Sequence, residues 1–261
     1  MQSQRSPLAI TLSVWRALFL RESLSRLFSS RVAWVWVFAE PMFHVAYLVL
    51  IFTVVRVHTI GGVDTSVWII VGLLGFFVFQ RTGEQAQSAV SANQALFAYR
   101  QVKPVDTVLA RAGLEGFFMI IVTLLLLAAA GLLGHDVIPD DPLTVLAAFF
   151  GLWLVGLGFG LITSLVSELA VEAGLILKLI LRPMYLISGV MYPIWLVPQP
   201  YREWLMLNPV AHGLEAIRLG FSPYYHAVPE LSLTYLYSVA LVMVFFGLAL
   251  YRRFELLLVA K

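Results

Sequence analysis

Six stretches of this chain stay apolar over much of the length a helix needs to cross a bilayer core, about 20 residues. They run over 32–55, 66–80, 114–134, 143–166, 174–191 and 232–251. No other feature constrains the fold as strongly, and the stretches read as six crossings of a membrane. The second is short, and the fifth carries Lys178 and Arg182. Composition agrees: 61% of residues are hydrophobic and 12% charged, with a mean hydropathy of +0.89. Ordinary soluble domains sit near half apolar and a quarter charged. The absence of cysteine excludes disulfides and thiolate metal sites. The N-terminus shows no short basic start, apolar run and small-residue cleavage site, so a cleaved signal peptide is not expected.

Lys and Arg positions set the expected orientation. Residues 1–31, 81–113 and 252–261 together hold 12 of the 17 basic residues. The other side holds Arg56, Arg202 and Arg218, and its loop "HDVIPDDP" has three Asp and no Lys or Arg. Both termini are therefore expected in the cytoplasm. Within 1–31, Leu8, Leu12, Trp15 and Phe19 share one helical face, with Arg5, Arg16 and Glu22 mostly away from it. This reads as an amphipathic helix in the cytoplasmic interface, the alternative being a helix packed on protein. The expected fold is an all-α membrane protein: six transmembrane helices, an N-terminal interface helix and a re-entrant helical segment between helices 5 and 6. The whole chain, 1–261, reads as one transmembrane domain.

Several chemistries lack their motifs. The chain has no G-x-x-x-x-G-K-[ST] loop to cradle ATP phosphates, and neither H-E-x-x-H nor G-x-S-x-G. The five His show no ligand spacing. An ion-coupled transporter would place carboxylates near the bilayer midplane, and Glu40 is the one acidic residue well inside a clear span.

Other features carry positive information. "FAEP" puts Glu40-Pro41 inside the first span. A carboxylate there costs at least about 2.5 kcal/mol on insertion scales, so it should face protein or water. It either pairs with a neighbouring cation, Pro41 bending the helix, or meets a transported substrate. Residues 81–113 are too polar for insertion and suit a weakly amphipathic helix docking on a soluble partner, or lying on headgroups. "SELAVEAGLILK" places Glu168 and Glu172 four apart, sharing a helical face. It is a second contact point or a plain polar turn. "GLGFG" sets Gly156 and Gly160 four apart, permitting close helix approach in lipid. "SGVMYPIWLVPQPYREWLMLNP" is apolar but has prolines at 193, 198, 200 and 209, which forbid one continuous helix. It reads as a segment, 192–209, that enters the outer membrane edge and turns back. Ile194–Val197 and Tyr201–Leu207 would be short helices, with Asn208-Pro209 ending the second.

"FAEP", "ALFAYRQVKPVDTVLAR", "RPMYLISGVMYP" and "LNPVAHGLEAIR" resemble the permease subunits of type-2 ABC exporters for bacterial surface polysaccharide. The group-2 capsular polysaccharide permeases are the nearest pattern, and the likeness runs from about residue 5 to 255. The resemblance implies a bacterial inner-membrane channel subunit, itself no enzyme. It forms a homodimer and works with two copies of a separate ATPase, which holds ATP and Mg. It implies a lipid-linked polysaccharide as substrate, with a periplasmic adaptor and an outer-membrane channel as further partners. Membrane lipid is the surroundings, and no nucleic acid is expected. By motif, Leu96, Phe97, Tyr99, Arg100, Val102 and Lys103 belong to the first ATPase-coupling element. Glu168 and Glu172 belong to the second, 167–173.

Side chains with a flat face and a polar tip suit sugar rings. Trp34, Trp36, Tyr185, Tyr192 and Trp195 are channel candidates, with Glu40 in the first span and with Arg182 and Lys178 for substrate acids. An O-antigen, other polysaccharide or drug ABC permease remains an alternative, as does a self-sufficient secondary transporter or membrane enzyme.

Overall fold

The computed structural model describes residues 6–54, 59–99 and 101–259. Arg5, Arg56, Arg100 and Lys261 lie outside these. The helices are α1 (Pro7–Phe28), α2 (Ala33–Val54), α3 (Thr65–Gln87), α4 (Pro104–Leu132), α5 (Pro142–Leu169), α6 (Val171–Ile187), α7 (Tyr201–Leu205), α8 (Pro209–Phe221) and α9 (Leu233–Val259). Short 3₁₀ helices cover Ser91–Ala98 and Ile194–Leu196, and β1 (Thr59–Ile60) pairs antiparallel with β2 (Val63–Asp64).

The chain is an all-α membrane protein. Helices α2, α3, α4, α5 and α9 are each long and apolar enough to cross a membrane. Helix α6, over the fifth apolar stretch, has 17 residues. At 1.5 Å per residue it is about 25 Å long, at the lower limit for a crossing.

Helix starts follow local chemistry. Asp64, Asp141 and Asn208 cap α3, α5 and α8 by accepting from Val67, Thr144 and Val210 amides respectively. Proline opens α4, α5 and α8, where its missing N–H leaves nothing unsatisfied. Asn208-Pro209 therefore begins a helix; the expectation that it ends one is corrected. Helix α7 stops at Leu205, and Ile194–Leu196 is a single 3₁₀ turn.

Helix ends depart from the apolar pattern where polar residues find protein partners. Helix α3 continues past Gln80 to Gln87, whose amide donates to Ser167 Oγ and the Gly174 carbonyl, both at 2.9 Å. Helix α4 starts at Pro104, ahead of Leu114, because the Asp106 carboxylate accepts from the Lys103 amide at 3.0 Å. Helix α9 runs on to Val259, beyond Tyr251. Helix α6 stops at Ile187, short of Met191, and Gly189 follows with φ of 71°.

Helices α3 and α5 form the centre of the bundle, with α9, α8 and α4 packed around them. Gly156 and Gly160 are what let α5 reach α3. A Cβ at Gly160 would lie 2.2 Å from that of Ala86, and one at Gly156 would lie 2.7 Å from the Phe79 carbonyl oxygen. Helices α2 and α6 are peripheral, leaving Phe43, Tyr47 and Leu50 on one and Leu175, Leu179 and Leu186 on the other exposed. The two ends of the bundle differ. A basic end gathers α1, Ser91–Ala98 and the last turns of α9, and Lys103 pairs with Glu255 there at 3.3 Å. The opposite, ribbon end holds β1–β2, where the Gly61 carbonyl accepts from the His226 amide.

Candidate functional site: a polar cavity between helices α2, α3 and α6

Pro41 lies inside α2, with Glu40 and His44 one helical turn apart. Both side chains line a cavity of about 370 Å³ shared with Phe77, Gln80, Arg81 and Glu84 of α3 and Leu181, Arg182 and Tyr185 of α6. Glu40 lies about 10 Å along α2 from its start, so the cavity sits inside the apolar length of that helix.

The cavity is organised by Arg81. Its Nη1 donates to Glu40 Oε2 at 3.2 Å, and its Nε donates to Glu115 Oε1 at 2.9 Å. The Glu115 side chain is only 2% exposed. Its other oxygen accepts from Arg26 of α1, which also donates to Gln85. A buried carboxylate is tolerated when opposite charge and hydrogen bonds replace its water, and two guanidiniums do so here. The chain of charges continues: Arg26 lies 3.7 Å from Glu22, and Glu22 accepts from Arg111 Nε at 2.6 Å. Opposite Glu40, Tyr185 Oη lies 3.5 Å from His44 Nε2 and donates to Met191 Sδ at 3.2 Å. Gln80 donates to Glu84 at 2.9 Å. Arg182 is exposed and has no side-chain partner among the described residues.

Three of the eight channel candidates, Glu40, Arg182 and Tyr185, thus line one cavity. Lys178 lies one turn from Arg182 on α6 and is exposed. Trp34 and Trp36 are exposed on the first turn of α2, away from the cavity lining. Tyr192 and Trp195 sit toward the ribbon end, the Trp195 ring 6.1 Å from His226. These five do not line the cavity.

Arg81, Gln80 and Glu84 were missed as cavity residues. They follow Phe77 at helical spacing, but polar residues after a short apolar run read as its end. The signal was the shortness of that run.

The basic end corrects several expectations for the coupling elements. Phe97 is buried in the chain's own core with Ala86, Val90, Val108 and Leu157, so it cannot face a partner. Val102 packs partly buried against the same cluster. Leu96 is half-buried, whereas Tyr99 is 66% exposed. Arg100 is outside the described residues. Glu168 and Glu172 do not share a helix: α5 ends at Leu169, Ala170 is extended, and Glu172 lies in the first turn of α6. The two elements nevertheless meet, because Gln94 donates to Glu168 at 3.4 Å.

Helix α1 is tied to this end by polar residues. Trp15 Nε1 donates to Asp106 and Arg21 to Asn93, both at 2.7 Å. Leu8 and Leu12, on the same face as Trp15 but nearer the helix start, remain exposed. The helix both packs on protein and offers an apolar strip.

At the ribbon end, α8 is buried against α3 and α5 and carries Arg218. That guanidinium is fully buried and donates to the Gly189 and Val190 carbonyls at 2.9 and 3.1 Å, and to Glu215 at 3.2 Å. Asn208 donates to Ser188 Oγ at 2.8 Å. The ends of the 189–207 segment are thereby held together.

Comparison with known proteins agrees with this architecture. The family model for the ABC-2 type transporter matches residues 13–222. The chain is 35% identical over 239 residues to the polysialic acid transport protein KpsM of Escherichia coli, covering 92% of each chain. It is 26% identical over 239 residues to the capsule polysaccharide export inner-membrane protein CtrC of Neisseria meningitidis, covering 92% of this chain and 90% of the other. It is 26% identical over 220 residues to the corresponding protein BexB of Haemophilus influenzae, covering 83% and 82%. With most of its length matched, and with apolar helices carrying a polar cavity between α2, α3 and α6, the chain belongs to the ABC-2 type transporter family.

Proposed function

We propose that this chain is the channel-forming permease subunit of an ATP-driven exporter that moves lipid-linked capsular polysaccharide across the bacterial inner membrane. In this reading two copies assemble with two copies of a separate ATPase, which holds ATP and Mg. The observation that carries the proposal is the polar cavity between α2, α3 and α6, together with similarity over 83–92% of the chain to a polysialic acid transport protein and two capsule polysaccharide export proteins. A polysaccharide offers hydroxyls, apolar ring faces and often carboxylates. Tyr185, His44, Gln80 and the two arginines of the cavity complement all three.

The basic end is the cytoplasmic side in this reading, with both termini there, since 12 of the 17 basic residues fall in the three regions assigned to it. Tyr99, Gln94 and Glu172 then form the ATPase docking surface, supported by the exposure of Tyr99 and by the Gln94–Glu168 contact. The 189–207 segment covers the outer end of the path. A periplasmic adaptor and an outer-membrane channel would receive the polymer there.

The test is co-purification of the tagged permease with its proposed ATPase partner. Tyr99→Asp with Glu172→Arg should abolish association and surface capsule while the permease still inserts and melts normally. Normal export by that double variant would remove the docking assignment. Failure of a null strain to lose capsule would remove the function.

A further inference from the structure

The three donor edges of Arg81 are not equivalent. Its Nε is fixed on Glu115, a carboxylate 2% exposed and shared with Arg26, which cannot leave without stranding buried charge. Its Nη1 meets Glu40 through one bond of 3.2 Å, and the Glu40 side chain is 71% exposed. Its Nη2 has no partner among the described residues. A guanidinium is a rigid planar fork, so fixing Nε also fixes the direction of the Nη1–Nη2 edge. That edge borders the cavity.

We propose that Arg81 is the anion-recognition residue of the cavity, that Glu40 is a built-in counter-ion which a carboxylate of the passing polymer replaces, and that Glu115 is the positioning residue for Arg81. The proposal rests on the reading of this cavity as the path of an acidic polysaccharide. An incoming carboxylate can take Nη1 and Nη2 together, a paired arrangement stronger than the single bond to Glu40. Glu40 loses only the one protein bond on release, since most of its side chain is already free of protein contact. Once released, Glu40 and the nearby Glu84 face the bound anion and repel it. Export needs such a site, favourable enough to enter and weak enough to leave. Arg182 of α6 lines the same cavity with no carboxylate partner among the described residues, and it serves as the comparison.

The experiment uses the full-length permease with its ATPase in lipid nanodiscs. Binding of an oligogalacturonate octamer and of a neutral dextran octamer is measured by thermophoresis. Glu40→Gln should tighten oligogalacturonate binding about threefold or more and leave dextran unchanged, because the internal competitor is gone. Arg81→Lys, which keeps the charge but loses the fork, should weaken oligogalacturonate about tenfold and spare dextran. Glu115→Gln should do the same in smaller measure, and Glu115→Asp should recover part of the loss. A purely structural role would shift both ligands together. Unchanged or weaker oligogalacturonate binding in Glu40→Gln overturns the inference and leaves the permease reading intact. So does loss of anion selectivity in Arg182→Gln with none in Arg81→Lys. If wild type binds neither octamer, the reading of the cavity as a sugar path fails, and the inference with it.

Discussion

The guanidinium carbon of Arg218 lies 3.6 Å from the centre of the Trp68 ring. This places a fully buried cation between α8 and α3, with its nitrogens on two carbonyls of the turn after α6. Three elements far apart in sequence meet at one side chain.

Arg218→Met should therefore destabilise the protein by about 3–5 kcal/mol, because Glu215 would remain buried with Tyr225 as its side-chain partner. Arg218→Lys should recover less than half, since an ammonium cannot fork to both carbonyls. Thermal melts of the detergent-purified protein read both. A Met variant melting with wild type would show that the cluster contributes no net stability.

Two helical glycines should respond in opposite directions. Among the described residues nothing lies within 4 Å of the position a Gly113 Cβ would take, so Gly113→Ala should raise stability by about 0.5–1 kcal/mol through helix propensity. A Cβ at Gly160 would collide with Ala86, so Gly160→Ala should lower it by about 1–3 kcal/mol. Paired melts under one condition give the sign of each.

Phe97 and Tyr99 are two residues apart and should separate folding from docking. Phe97→Asp puts a charge into the cluster of Val90, Val108 and Leu157 and should cost about 3–5 kcal/mol, with loss of folded protein. Tyr99→Asp should change stability by about 0.5 kcal/mol or less and reduce recovery of the ATPase. Size-exclusion profiles and pull-downs distinguish the two, and equal effects on both would sink the separation.

Glu230 gives a pH prediction at the ribbon end. Partial burial would raise its pKa, but its own backbone N–H and Arg202 outweigh this and hold the carboxyl below the usual carboxylate range. Gln199 and Arg202 both donate to its Oε1, at 3.0 to 3.2 Å. A folded-state pKa below the unfolded value of about 4.3 stabilises at higher pH. The contribution is full above the unfolded pKa and fades as pH falls through the folded one. Glu230→Gln should melt lower than wild type at neutral pH and match it in acid. A gap of constant size across that range would exclude this linkage.

How much of this was legible beforehand can be judged residue by residue. "FAEP" announced a carboxylate that needed a partner, but its partner, Arg81, looked like the end of a short span. Hydropathy reads a polar residue as an exit from lipid. It cannot distinguish that from a polar residue facing an internal cavity, because the difference lies in which neighbours pack around it. Glu115 is the same case: four residues after Arg111 at the edge of an apolar run, it gave no sign of joining α1 to α3. Phe97 fell in the run that resembled a coupling element, yet the fold turned it inward.

By itself the sequence determined that this is an all-α membrane protein. Bilayer thickness sets the length of apolar runs, and the lack of water inside requires backbone hydrogen bonds to close locally. Glycine spacing at 156 and 160 marked a close helix contact for the same local reason. Only the tertiary structure decided that α3 carries its helix past Gln80, that α8 buries Arg218, and that Glu40, Arg81 and Glu115 form one chain of charge. Those outcomes depend on pairing charges across helices distant in sequence. A charge is placed by the partner that replaces its lost water, and that partner is not written in the residues beside it.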